Sequence, residues 1–110
     1  MQKEYDPNDS VDYIYKNSDA YGDAYGQVQQ LEAFKHHLKA IKMLESSQST
    51  SWAKEMEATA SEEYKTLCEA IGQANRNEKA LRWKLESAKM RWETWRTQEA
   101  SNRNIERMTR

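Results

Sequence analysis

The sequence of 110 residues has one cysteine, one proline, three glycines and two histidines, and each shortage removes a class of protein. A single cysteine, Cys68, cannot close a disulfide within the chain, so nothing argues for an oxidising compartment and a cytoplasmic setting is expected. No apolar run resembles a signal peptide or approaches the roughly 18 residues of a membrane span, so no membrane partner is expected. His36 and His37 are adjacent, and neighbouring residues on a helix point about 100° apart, so they cannot share a metal as an i, i+4 pair does. Glycine-rich phosphate loops, nucleophile elbows, zinc-spaced cysteine pairs and calcium loops are all missing. Carboxylates such as Glu55, Glu57, Glu62, Glu63 and Glu69 are plentiful, but acid–base work needs two of them in a concave, partly dry site that a helical hairpin does not offer. The expectation is a non-enzyme without catalytic residues, metal ligands or cofactor. Cys68, beside Leu67, reads as a small buried hydrophobe.

What is present is charge. Hydrophobic residues make up 37% of the chain and charged ones 32%, a balance that suits long amphipathic helices with narrow apolar stripes better than a globular core. The formal net charge of −1 hides an acidic head and a basic tail. Residues 1–34 carry only Lys3 and Lys16 as cations against Glu4, Asp6, Asp9, Asp12, Asp19, Asp23 and Glu32, whereas cations outnumber carboxylates from Arg76 onward.

Residues 1–22 read as a flexible acidic tail, because Asp6-Pro7-Asn8-Asp9-Ser10 is turn-forming and no apolar period is sustained around Val11, Tyr13, Ile14 and Tyr15. Tyr5, Tyr13, Tyr15, Tyr21 and Tyr25 crowd this end among aspartates. Residues 23–110 are expected to form a helical hairpin. A first helix over about 23–45 starts near Asp23, with Val28, Leu31, Phe34, Leu38, Ile41 and Leu44 on one face and Lys35, Lys39 and Lys42 displayed elsewhere. The serine-rich stretch of about 46–51 makes a hinge. A short helix over about 52–58 follows, then a capping box at Thr59-Ala60-Ser61-Glu62 with Ser61 as a further cap, and a long helix over about 61–108. That helix carries a regular heptad: Tyr64, Ile71, Glu78, Leu85 and Trp92 at one position, Leu67, Ala74, Leu81, Ala88 and Trp95 at the other. Glu78 is the one charge in the seam and reads as a register device paired with Lys79 or Arg82, the alternative being a kink around Gly72–Asn77. The fold class is all-α, an antiparallel helical hairpin or coiled coil with a long C-terminal helix.

A first helix of roughly 35 Å cannot cover a second of roughly 70 Å. Leu81, Leu85, Ala88, Trp92 and Trp95 are therefore expected to form an oligomer seam with a second copy, a dimer being the simplest case. On the opposite side of the long helix, Ala80, Trp83, Ser87, Met90, Thr94 and Thr97 form a second stripe. Trp83 and Met90, together with Tyr13 and Tyr15 of the acidic head, are the candidate partner-binding residues. A second reading takes Lys89, Arg91, Arg96, Arg103, Arg107 and Arg110, beside Trp92 and Trp95, as a nucleic-acid-binding strip. Against it, Glu86, Glu93, Glu99 and Glu106 are placed to lace these cations into helix-surface pairs. A third reading has the acidic head mimic nucleic acid in a basic groove of another protein, or fold back on the chain's own basic helix.

The block Ser61-Glu62-Glu63-Tyr64, with Leu81-Arg82-Trp83 and the run from Ala88-Lys89-Met90-Arg91-Trp92 to Asn102-Arg103, resembles small uncharacterised helical accessory proteins of tailed bacteriophages. Leu38 after His36-His37 belongs to the same likeness, which spans about residues 28–103 and leaves out the acidic head. The resemblance implies an accessory protein of DNA metabolism, acting in the bacterial host cell on a host or phage protein, and it carries over no residue roles. The hypothesis that follows is a helical adaptor for a protein of DNA metabolism or host defence.

Overall fold

The computed structural model describes residues 4–109, and helix begins at Pro7. Asp6 caps it: the Asn8 amide donates to Asp6 Oδ1 at 2.9 Å, and the Asp9 amide donates to the Asp6 carbonyl at 3.0 Å. An aspartate cap followed by proline at the first helical position is favourable, because the carboxylate satisfies an orphan amide while proline has none to lose. Asp9 adds negative charge to the same turn. Helix α1 then runs unbroken over Pro7–Glu45. Residues 7–22, expected as part of a flexible tail with helix starting near Asp23, are thus helical. Asp-Pro-Asn reads as a turn by composition, but the same residues start a helix when heptad spacing follows them.

That spacing is present in α1. Ser10, Ile14, Asn17, Tyr21, Ala24, Val28, Leu31, Lys35, Leu38 and Lys42 recur at steps of four and three, and each is buried or half-buried. Phe34 and Leu44, expected in the stripe, are exposed, while Lys35 and Lys42, expected elsewhere, lie in it. Following apolar identity picked the wrong line; following the step of seven finds the right one.

Helix α2 covers Ser51–Thr59 and helix α3 covers Glu62–Thr109. Thr50 caps α2 by accepting from the Ala53 amide at 3.1 Å. Ser61 caps α3, accepting from the Tyr64 amide at 3.2 Å and donating to the Ala58 carbonyl at 2.8 Å. The expected Thr59–Glu62 box does not form, because Thr59 still belongs to α2 and its hydroxyl donates back to the Glu55 carbonyl at 3.0 Å. In α3 the heptad residues from Tyr64 to Trp95 are all buried or half-buried, and every residue described beyond Trp95 is exposed. The helix runs unbroken through residues 72–77. Glu78 is only 5% exposed and has Lys79 Nζ 3.7 Å from its carboxylate.

The chain divides into two compact units. Unit 2 holds Gly22–Lys79: the second half of α1, all of α2 and the start of α3, with Ala58, Leu67, Ile71 and Ala74 buried. Its helices are tied by Lys39 to Glu55 at 2.6 Å, Lys42 to Glu63 at 3.3 Å, and the Ser46 hydroxyl donating to the Glu57 carboxylate. The hydrogen bond to Glu55 raises the Lys39 ammonium above its ordinary value. Glu63 is held below the ordinary carboxylate value, first by the backbone amide of its own residue at the helix start and then by Lys42.

Unit 1 joins α1 up to Tyr21 with α3 from Ala80. The two segments run antiparallel: Tyr13 shares a groove with Trp83 and Lys84, while Tyr5, at the other end, meets Arg91. This arrangement narrows the length mismatch that motivated self-association through Leu81, Leu85, Ala88, Trp92 and Trp95. With 39 residues, α1 spans about 58 Å rather than 35 Å. Ala88 is buried in a groove shared with Ser10 and Tyr13, and Trp95 borders a depression shared with Tyr5. At Ala88 and Trp95 the expected oligomer seam is thus bordered by the chain's own N-terminal segment.

Candidate functional site

In unit 1 the capped start of α1 lies against one side of α3. Asp6, which caps α1, recurs at helical spacing with Asp9 and Tyr13 of that helix, and Trp83, Ser87 and Arg91 do so on α3, so each set forms one wall of a groove of about 640 Å³. Two contacts fix the wall ahead of the helix. The Tyr5 and Ser10 hydroxyls are hydrogen-bonded at 2.7 Å, and Arg91 lays its guanidinium over the Tyr5 ring with its carbon 4.9 Å from the ring centre. Ser10 is buried.

The walls differ in charge. Glu4, Asp6 and Asp9 line one, Lys84 and Arg91 the other, and Trp83 lies at the rim with 64% of its surface exposed. Among the described residues no ion pair joins the two walls. Next along α3 come two shallower depressions of about 350 and 370 Å³, both lined by Met90, Thr94 and Gln98. Met90 is 50% exposed. The second stripe expected from the sequence is therefore open to solvent and borders all three hollows.

Of the candidate partner-binding residues, the structure brings together Tyr13 and Trp83 in the main groove and places Met90 beside it. Tyr15 does not line the groove and is 84% exposed, two residues on from Tyr13 and so on another face of α1. Sequence reasoning missed Tyr5, Ser10, Lys84 and the pairing of Arg91 with Tyr5. The signal for the first two was the Asp6-Pro7 cap, which sets the phase of the helix that carries Ser10.

Lys89, Arg91, Arg96, Arg103 and Arg107 are exposed, and Arg110 lies outside the described residues. Arg96 stacks on the Trp92 ring at 5.0 Å. Among the described residues, none of these cations is held in an ion pair with Glu86, Glu93, Glu99 or Glu106. Asp9, Asp12 and Asp19, expected in a tail, stand exposed along helix α1, as does Asp23.

His36 and His37 are exposed, and His37 lies near Phe34 with ring centres 6.1 Å apart. Cys68 is exposed rather than buried, because a narrow seam covers Leu67 while the next residue points about 100° away. Among the described residues no trio of His, Cys, Asp or Glu is placed to hold a metal, and no helix is long and apolar enough to cross a membrane. Neither a family model, nor a curated protein, nor a solved structure matches this chain.

Proposed function

We propose that this protein is a non-enzymatic helical adaptor that holds a helical segment of a partner protein in the groove of unit 1. The observation that carries the reading is Trp83, a large indole left 64% exposed at the rim of a groove whose walls bear opposite charge. Exposed aromatics of this kind are the usual anchors of protein interfaces. An occupant that suits both walls presents an apolar side chain to Trp83 and Tyr13, a basic one to Glu4, Asp6 and Asp9, and an acidic one to Lys84 and Arg91. A protein of DNA metabolism or host defence is the partner class that the phage-protein resemblance suggests.

A protein suits this surface better than nucleic acid does. The cations of α3 alternate with Glu86, Glu93, Glu99 and Glu106, and Arg91 and Arg96 already lie on aromatic rings. A polyanion binder gains affinity from an unbroken row of cations.

Affinity capture from the native host, run with the unaltered protein, with Trp83→Ala and with Trp52→Ala, tests the proposal. Trp52 is a control, a similarly exposed indole in unit 2. A partner lost with Trp83→Ala and kept with Trp52→Ala supports the groove. Retention of every partner by Trp83→Ala, or binding that persists only while nucleic acid is left undigested, overturns it.

A further inference from the structure

We infer that the C-terminal part of α3 pairs antiparallel with the same segment of a second copy of this chain, through the face that carries Met90, Ile105 and Met108. This inference concerns a different stretch of α3 from the groove around Trp83 and does not rest on the adaptor reading.

Three observations carry it. First, the large apolar side chains that α3 leaves exposed are Trp83, Met90, Ile105 and Met108. Trp83, Met90 and Met108 fall on the phase of the second stripe, which the sequence continues past Thr97 through Ser101 and Asn104 to Met108, and Ile105 borders it one turn after Ser101. A line of apolar residues with heptad spacing on the outside of a helix is the pattern of a second helix–helix seam. Second, α3 from Arg96 to Thr109 is exposed at every residue, and its original seam turns polar there, at Glu99, Asn102 and Glu106. A helix of about this length is marginal in water unless one face is covered, and the only apolar face it offers is the second stripe. Third, that stripe is complementary to itself when reversed. With the two-fold axis beside Glu99, Met90 faces Met108 of the partner subunit, Thr94 faces Asn104 of the partner subunit, and Thr97 faces Ser101 of the partner subunit. Small residues flank the axis and large ones lie outside it. The same register sets Glu93 near Arg107 of the partner subunit, and the two-fold axis repeats that pair. Among the described residues of one chain neither side chain has an ion-pair partner. The shallow depression formed by Met90, Glu93, Thr94, Thr97 and Gln98 is where the methionine or isoleucine of the second copy would lodge.

This dimer differs from the one expected through Trp92 and Trp95. It uses the opposite side of α3, and it leaves the Trp83 groove of each copy open, giving a two-headed adaptor.

Two measurements decide it. Light scattering should give the mass of a dimer for the unaltered protein and of a monomer for Ile105→Glu combined with Met108→Glu, both fully outside the hairpin seam and so without effect on the helix content of unit 2. A monomer for the unaltered protein at about 100 μM, or a dimer that survives both glutamates, overturns the inference; a micromolar dissociation constant is within ordinary reach of such an interface. Register is read separately by cysteine pairing in a Cys68→Ser background. Met90→Cys and Met108→Cys proteins should cross-link when mixed and not when oxidised alone, since in the antiparallel register each cysteine lies about 27 Å along the axis from its own copy. Cross-linking of either variant with itself, or none on mixing, rejects the pairing. Partner capture through Trp83 is unchanged in the double glutamate variant if both proposals hold, so the two can fail independently.

Discussion

Unit 2 buries aliphatic side chains between three helical segments, whereas unit 1 is two helical segments closed around Ala88, Ser10 and a set of half-covered residues. Unit 2 has capped helix ends and cross-helix ion pairs; unit 1 has an open groove, a tyrosine held by an arginine, and exposed apolar residues in heptad phase. A third helical segment is what allows leucine and isoleucine to be buried, since two helices alone leave each other's flanks wet. Both units expose large apolar side chains, Leu44 and Trp52 in unit 2 and Trp83 and Met108 in unit 1, so the open groove rather than apolar exposure sets unit 1 apart.

The largest expected effect tests that contrast in stability. Leu67→Ala in unit 2 removes a buried side chain and should cost about 3 kcal/mol, while Leu85→Ala in unit 1, at a half-buried position, should cost about half as much. Urea denaturation measures both. Equal costs would break the comparison. Amide exchange sharpens it, because amides of residues 80–95 should exchange faster than those of residues 64–79 if unit 1 opens locally more often.

Next in size is the fastening of the groove. Tyr5→Phe deletes the hydroxyl bonded to buried Ser10 and should destabilise unit 1 by about 1 kcal/mol, leaving a serine oxygen without its partner. Thermal unfolding checks the loss, and Tyr5→Phe together with Ser10→Ala should recover part of it, since both polar groups then leave together.

A smaller effect of opposite sign concerns glycine. Gly22 and Gly26 lie within α1 with nothing within 4 Å of where a side chain's first carbon would stand. Replacing either with alanine should raise stability by about 0.5–1 kcal/mol through the entropy of the unfolded chain. No change would mean that the helix is already held at these positions by its neighbours.

The two long helices were unequally legible. In α3 ten heptad positions carry a single charge, Glu78, so apolar identity and period coincide and the seam from Tyr64 to Trp95 can be read directly. In α1 the seam contains Ser10, Asn17, Lys35 and Lys42, so counting apolar residues selects Phe34 and Leu44 instead, both of which face water. Long lysine stems can lie along a seam while their ammonium groups reach out to Glu32, Glu45 or Glu63, which is why position and polarity part company there. The site divides the same way. Trp83 and Met90 share the phase of one helix and were visible from spacing. Tyr5 against Arg91 depends on the antiparallel register of two distant segments, which no local pattern encodes.

The smallest expected effect is on the acid side of the stability curve. Glu63 is exposed at the start of α3, and its carboxyl is lowered from 4.5 by the amide of its own residue and by Lys42. A group that is more acidic in the folded state stabilises the fold at pH values above 4.5, and that contribution fades as pH falls through the folded value. Glu63→Gln should therefore flatten the fall in stability that begins as pH drops through about 4.5, while changing little in strong acid, where both proteins carry a neutral group. Lys39 has the opposite sign: its ammonium is raised from 10.5 by Glu55, so its contribution is intact below 10.5 and is lost as pH climbs through the raised value. Salt distinguishes the two causes acting on Glu63. The attraction of exposed Lys42 should be screened at about 1 M salt, where the Debye length is near 3 Å, whereas the hydrogen bond from the helix-start amide survives. An acid limb abolished by salt would assign the effect to Lys42; one that persists in salt and disappears only in Glu63→Gln assigns it to the capped end of α3, and so to the helix start that closes unit 2.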